Sequence, residues 1–290
     1  MIFKKKIKQK IEEILNSSII NFSPVGGGCI SDAYKIVIEN NRSFFLKTNT
    51  SQTDDMFEKE AHGLHELKKA DAIRIPNVIS YGSDFILLEF ITQGTKQADF
   101  FEDFGRRFAA LHKFHSGGFG FFENNFIGSN PQINIPAEDE KHNWTRFYLN
   151  KRLLFQIKLA EKSNLSTPEL RKSFSALENK IDKIITDNGE LPSLLHGDLW
   201  GGNYMVDENG KACLIDPAVY FGNREADLAM TKLFGGFSSD FYAAYNEAYP
   251  LPEGYSYREN IYKLYHVLNH LNLFGRSYYS QAISLIKYYL

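Results

Sequence analysis

Four polar side chains in one short segment, LLHGDLWGGNYMVDENGKACLID (194–216), carry the clearest chemistry in this chain: His196, Asp198, Asn203 and Asp216. Residues 204–206 read as a strand and Asp207-Glu208-Asn209-Gly210 as a turn, because an Asn-Gly pair supplies the positive φ angles that tight hairpins need. Residues 211–215 read as the return strand. An antiparallel hairpin brings its open ends side by side, so Asn203 is expected beside Asp216, with Asp198 on the loop that feeds the hairpin. An aspartate that orients an attacking hydroxyl, followed by an asparagine and a second aspartate, is a donor set for phosphoryl transfer. On this reading Asp198 is the catalytic residue and Asn203 and Asp216 hold Mg²⁺, a hard cation that takes oxygen ligands. His196 is expected to be structural.

Such a site needs elements that present a nucleotide to it. Gly26-Gly27-Gly28-Cys29-Ile30-Ser31 lies between a strand over 19–24 and a strand over 33–39, not ahead of a helix. That argues against the strand-then-helix phosphate loops and for a glycine loop between strands that covers phosphates, formed by Gly27, Gly28, Cys29, Ile30 and Ser31. A further strand over 43–48 carries Lys47. The helix expected over 54–70 places Met56, Glu60, Leu64 and Leu67 on one face, so Glu60 is a carboxylate on an apolar face and needs a partner. Lys47 is the nearest candidate, as in the lysine–glutamate pair of kinases. Strands are expected over 75–81 and 85–90, the second apolar throughout and so buried on both faces. Glu89, Phe90 and Ile91 then form a hinge whose backbone would bind adenine.

Composition sets bounds on partners. Hydrophobic residues make up 43% and charged residues 23%, ordinary globular usage. A net charge of −2 gives no reason to expect a nucleic-acid partner. No apolar run reaches the ~18 residues of a membrane span. Two cysteines, Cys29 and Cys213, form no disulfide framework. Together with the absence of an apolar leader they point to a reducing cytoplasm.

The expectation beyond residue 92 is helical: 100–114, 144–162, 168–187, 225–234, 240–249, 257–277 and 280–290, with a long Gly/Asn/Pro-rich loop over 117–136. The chain thus reads as α+β and two-lobed, with a five-stranded antiparallel N-lobe (1–92) and a mainly helical C-lobe (93–290) around the catalytic hairpin. Asp216 is followed by Pro217-Ala218 and soon by the polar group Arg224, Glu225 and Asp227. That spacing leaves no room for a long activation segment and favours a small-molecule kinase over a regulated protein kinase. Asp227 is read as tying down the catalytic loop. Trp200 is read as a substrate contact or as core. The histidines at 112, 115, 266 and 270 are read as core or surface residues, because nothing completes a metal site around them. Cys213 is expected to be inert. Cys29 would sit among backbone N–H groups that lower a thiol pKa, which makes it a candidate redox switch, with an intermolecular disulfide on oxidation.

The segments GGGCIS (26–31), FFLKT (44–48), FEKEAHGL (57–64), LLEF (87–90), IGSNPQIN (127–134), HGDLWGGN (196–203) and DPAVYFGNREADLAM (216–230) resemble the fructosamine kinase (ketosamine-3-kinase) family, within the protein-kinase-like superfamily that also holds aminoglycoside phosphotransferases and choline kinases. The resemblance implies ATP-dependent phosphorylation of the 3-hydroxyl of a ketosamine, free or protein-bound, in a deglycation role. It also implies a redox-sensitive glycine-loop cysteine such as Cys29, in a chain that is a monomer or a dimer. Rival readings are a kinase for an aminoglycoside, a choline-like alcohol or another sugar, and a nucleotide-binding protein without turnover.

Overall fold

In the computed structural model, residues 2–26, 32–49, 55–185 and 189–290 are described. The glycine-loop residues 27–31, Cys29 among them, lie outside that set, so the readings placed on them are carried no further.

Helix α1 (Ile2–Leu15) leads into strands β1 (Ile19–Pro24), β2 (Asp32–Ile38) and β3 (Ser43–Thr48). Helix α2 (Met56–Lys69) follows, then β4 (Val78–Gly82) and β5 (Phe85–Glu89). The five strands form one antiparallel sheet in the order β1-β2-β3-β5-β4. Alternation along β3 decides which side chain faces which way. Phe44 and Leu46 pack with Phe85 and Leu87 of β5 on one face, where Ile7 and Ile11 of α1 close a small core. Phe45, Ile86 and Leu88 point to the other face, into the main core shared with Phe57, Ala61, Leu64 and Leu67 of α2. Lys47 is on this second face, toward α2 and the rest of the chain. β5 is buried on both faces because each face feeds a different core.

Beyond the sheet the chain is mostly helical: α3 (Phe100–His112), α4 (Trp144–Tyr148), a π-helical turn (Leu149–Leu153), α5 (Leu154–Lys162), α6 (Pro168–Glu178), α7 (Ile181–Ile184), α8 (Glu225–Thr231), α9 (Ser239–Ala248), α10 (Tyr255–Phe274), a 3₁₀ turn (Arg276–Tyr278) and α11 (Tyr279–Lys287). Three short antiparallel strand pairs interrupt the helices. They are β6 (Asn125–Ile127) with β7 (Asn130–Gln132), β8 (Ser193–Leu195) with β11 (Tyr220–Gly222), and β9 (Tyr204–Val206) with β10 (Ala212–Leu214). The first pair lies in the segment 117–136, which the sequence gives as loop. The expected single helices over 144–162 and 168–187 are each divided, the first by the π turn. Among the described residues no helix is long and apolar enough to cross a membrane.

Candidate active site

The β8–β11 pairing frames the site. Leu194 and Leu195 lie opposite Phe221 and Tyr220, so the chain enters the 196–203 loop from one strand and runs on from Asp216 into its neighbour. Between these strands β9 and β10 form the hairpin. Its turn is wider than an Asn-Gly two-residue turn: only Gly210 takes a positive φ, and the Asp207 N–H donates to Lys211 O at 2.8 Å. Asp207 shapes the turn by accepting from the Asn209 and Lys211 N–H groups, both at 2.9 Å. Arg74 clamps it to the sheet by reaching Asp207 (2.9 Å), Glu208 (2.7 Å) and Glu89 (2.7 Å). At the open end the Ile215 N–H donates to Asn203 O at 3.1 Å, which sets Asn203 beside Asp216. Asp216 itself has φ 55°, an uncommon left-handed conformation for a side chain larger than glycine.

The loop is held from beneath by a buried carboxylate. Asp227, on α8, accepts from the His196 N–H at 2.7 Å and the Gly197 N–H at 2.8 Å. His112, the last residue of α3, meets Asp227 at 3.3 Å through Nε2 and Tyr245 at 2.7 Å through Nδ1. Burial alone would raise the Asp227 pKa, but the contacts with His112, His196 and the Gly197 N–H bring it below the ordinary carboxylate value. His196 uses both ring nitrogens. Its Nε2–H donates to Ile215 O at 2.9 Å and its Nδ1 accepts from the Asp198 N–H at 3.3 Å. Only a neutral imidazole offers one donor and one acceptor, and burial lowers the His196 pKa to match. Gly197 has φ +82°, and a Cβ there would collide with the Ala218 carbonyl oxygen, so the residue between His196 and Asp198 must be glycine.

Asp198 lies partly buried at the end of this loop. Desolvation and the charge of Asp216 push its carboxyl well above the usual carboxylate range, against the Asn203 Nδ2 donor 3.2 Å away. That same Nδ2 donates to Asp198 O at 2.7 Å, so the Asn203 amide oxygen is the atom left for a cation. Lys47 bonds Glu60 at 2.8 Å and also contacts Asp216. Burial works against the Lys47 ammonium, but the charges of Asp216 and Glu60 outweigh it and hold its pKa above the ordinary lysine value. Glu60 goes up, mainly through burial. Two close carboxylates, one of them raised, beside an amide oxygen form an all-oxygen set that a divalent cation would neutralise, so these residues fit Mg²⁺.

Sequence reasoning missed the support under the Asp216 segment. Gln132 donates to Ala218 O at 2.8 Å and Asn125 to Val219 O at 2.8 Å. Both belong to the β6–β7 hairpin. Gln132 and Asn134 each donate to Asn125 Oδ1, at 2.9 and 2.7 Å. Arg152, fully buried in the π turn, donates to Asn134 Oδ1 at 2.7 Å and to Ile133 O at 2.6 Å while its guanidinium lies 3.9 Å from the Tyr220 ring centre. The one hint was the unusual length of the 117–136 segment. On the other side, α2 packs against the same segment through a glycine: a Cβ at Gly63 would stand 3.3 Å from Val219 and 3.4 Å from Pro217.

Of the remaining sequence candidates, Glu89 spends its side chain on Arg74 and Asn77, Ile91 is buried, and Lys35 lies 4.3 Å over the Phe90 ring. The Ile91 N–H meets no partner among the described residues. Trp200 is exposed, with its ring near Phe234. Cys213 is buried in β10 and its thiol is pushed up to about 12, chiefly by burial, which leaves it unreactive.

The fold is matched among solved structures. The fructosamine kinase family model matches residues 3–290. The chain belongs to the fructosamine kinase family. A protein-ribulosamine 3-kinase of Arabidopsis thaliana chloroplasts is 40% identical over 284 residues, covering 94% of this chain and 84% of that protein. Among solved structures, a candidate fructosamine-3-kinase from Thermobifida fusca superposes with a TM-score of 0.88 at 28% identity, covering 97% of both chains. A choline kinase from Streptococcus pneumoniae, with a TM-score of 0.66, 16% identity and 100% coverage of both chains, shares the protein-kinase-like fold.

Burial of a histidine in this kinase-family chain is expected to make the fold acid-sensitive. His266 of α10 is 3% exposed, its Nδ1 has no partner among the described residues, and burial pushes its pKa down to about 3. An unfolded histidine titrates near ~6.5. Below that pH the unfolded chain therefore binds a proton that the folded chain refuses, and stability falls as pH drops from about 6.5 toward 3. Between pH 6.5 and 5 His266 alone should cost about 2 kcal/mol. Urea unfolding at pH 7 and pH 5 is expected to show this loss, and His266→Leu to remove about that much of the pH dependence. Equal pH dependence in the variant would show that His266 is not a source of it.

Proposed function

We propose that the chain transfers the γ-phosphoryl group of ATP to the 3-hydroxyl of a ketosamine, the rearranged adduct of a sugar and an amine. The observation that supports this reading is the chain of contacts that joins Lys47 and Glu60 to Asp216, and Asn203 to Asp198 and Ile215. The boundary between the lobes is placed near residue 92, between the last sheet strand and α3. The backbone of residues 89–91 faces adenine. Lys47, steadied by Glu60, takes the α- and β-phosphates. Asn203 and Asp216 would hold Mg²⁺, which would neutralise phosphate charge when bound. Asp198 accepts the hydrogen bond of the 3-hydroxyl and aims it in line with the γ-phosphorus. As the new O–P bond forms, the proton passes to Asp198 and the bridging bond breaks toward ADP. His196, Asp227 and Gly197 keep that carboxylate in place, so the protein contributes mainly positioning and charge.

Supplied with ATP and Mg²⁺, the protein is expected to convert ribulosamines or fructosamines to products with one new phosphate on O3, located by ³¹P–¹H NMR. Turnover confined to aminoglycosides, choline or free sugars would replace this reading by one of its rivals.

A further inference from the structure

A hydrogen-bond network whose direction is fixed at both ends runs through the β6–β7 hairpin. Arg152, fully buried, can only donate, and it donates to Asn134 Oδ1 at 2.7 Å. The Asn134 amide then turns its Nδ2 to Asn125 Oδ1, also at 2.7 Å. That leaves Asn125 Nδ2 to donate to Val219 O at 2.8 Å. Gln132, the register partner of Asn125, donates to Asn125 Oδ1 at 2.9 Å and gives its other N–H to Ala218 O at 2.8 Å. Its own Oε1 accepts from the hydroxyl of Tyr265, on α10, at 2.7 Å. Both Gln132 and Tyr265 are buried, and burial raises the Tyr265 pKa, so the hydroxyl stays a donor. Two side-chain donors therefore meet two successive carbonyls, those of Ala218 and Val219, directly after Asp216-Pro217.

The Ala218 peptide joins three parts of the site. Its carbonyl oxygen fills the space that Gly197 leaves open, and its N–H donates to His196 O at 2.8 Å. Two residues earlier Asp216 holds φ 55°, a conformation that persists only where its surroundings over-determine it. We propose that Gln132 and Tyr265 are positioning residues for Asp216: Tyr265 fixes the Gln132 amide, the amide fixes the Ala218 carbonyl, and the turn so held aims the Asp216 carboxylate at Mg²⁺. The inference rests on the kinase reading above, through its assignment of Asp216 as a metal ligand. Neither Gln132 nor Tyr265 is a ligand on that assignment. Their effect passes through the orientation of one, as it does for the groups that stand behind the ligands of other metal sites. Without the Tyr265 hydroxyl the Gln132 Oε1 loses its donor, and the amide is free to shift off Ala218 O or to turn its oxygen toward it.

The test is the Mg²⁺ enhancement of ADP binding by the full chain: the Kd in EDTA divided by the Kd at saturating Mg²⁺, both from isothermal titration. The wild type is expected to show an enhancement of about tenfold or more, and Tyr265→Phe and Gln132→Met each to shrink it about fivefold or more. The Kd in EDTA should stay that of the wild type. The double variant should fall no further than Gln132→Met alone, since the two residues act in series. Tyr262→Phe deletes a buried hydroxyl from the same helix, one that accepts from Trp144 Nε1 at 3.0 Å, and should keep the full enhancement. Tyr265→Phe removes a single oxygen, so the measurement still decides if Gln132→Met does not fold. Variants that melt at a lower temperature yet keep the wild-type enhancement overturn the inference, because the network would then serve the fold alone. Single effects that multiply in the double variant overturn it too, as does an equal loss in Tyr262→Phe. If the wild type binds ADP no better with Mg²⁺ than without, the metal assignment of Asp216 fails and takes the inference with it. Enhancement in the wild type that the variants retain sinks the inference alone.

Discussion

Asp198→Asn is expected to lose turnover by about a thousandfold or more while the protein keeps its fold. The asparagine preserves the backbone carbonyl that accepts from Asn203 Nδ2 at 2.7 Å, so the loop has its main internal tie. It cannot receive the proton of the substrate hydroxyl. Stability should move the other way. Burial and the charge of Asp216 disfavour the ionised form of Asp198 in the cation-free protein, and a neutral amide removes that repulsion. Thermal unfolding without nucleotide or Mg²⁺ should therefore give a Tm equal to or above that of the wild type, a trade of stability against activity at one carboxylate. ADP release measured beside the melting curve checks both halves, and retained turnover would remove Asp198 from its role.

Asp227→Asn should behave in the opposite manner, harming stability and activity together. The carboxylate is 1% exposed and serves two backbone N–H groups and His112 at once. An amide keeps one oxygen and turns an NH₂ toward groups that already donate. Leaving buried donors without an acceptor costs about 3–5 kcal/mol when the lost partner is charged. The loop set by those bonds carries Asp198, so a shift of a fraction of an ångström there should lower kcat by about a hundredfold, with a smaller change in KM for ATP. Urea unfolding and steady-state kinetics would measure the two losses. A variant as stable as the wild type would show that the anchor lies elsewhere.

The contrast between these residues also shows what the sequence makes legible. The sheet can be read because the apolar runs at 44–46 and 85–88 are short and bounded by polar or turn residues, and its two-core arrangement follows from period-two geometry. The hairpin and its four polar residues can be read because hairpins are local. The Lys47–Glu60 pairing is accessible for a different reason: a carboxylate on an apolar helix face demands a cation. Contacts made across long sequence separations leave no such trace. His112 reaches Asp227, Gln132 reaches Ala218 and Arg74 reaches Asp207 through the fold alone. The β6–β7 hairpin is missed because its strands are three residues each and rich in Asn and Gln, so hydrophobic periodicity has nothing to register.

Gly63 carries a consequence for control. With no side chain there, the helix that bears Glu60 rests directly on Pro217 and Val219, the residues that follow Asp216. Glu123 adds a second tether to the same helix through Lys59 at 2.6 Å and His62 at 2.8 Å. In kinases that are switched, this helix swings and the segment after the metal-binding aspartate rearranges. Here the two are seated against each other, and four residues after Asp216 the chain is already paired into a strand. The relative placement of Glu60 and Asp216 is therefore set by packing contacts made as the chain folds.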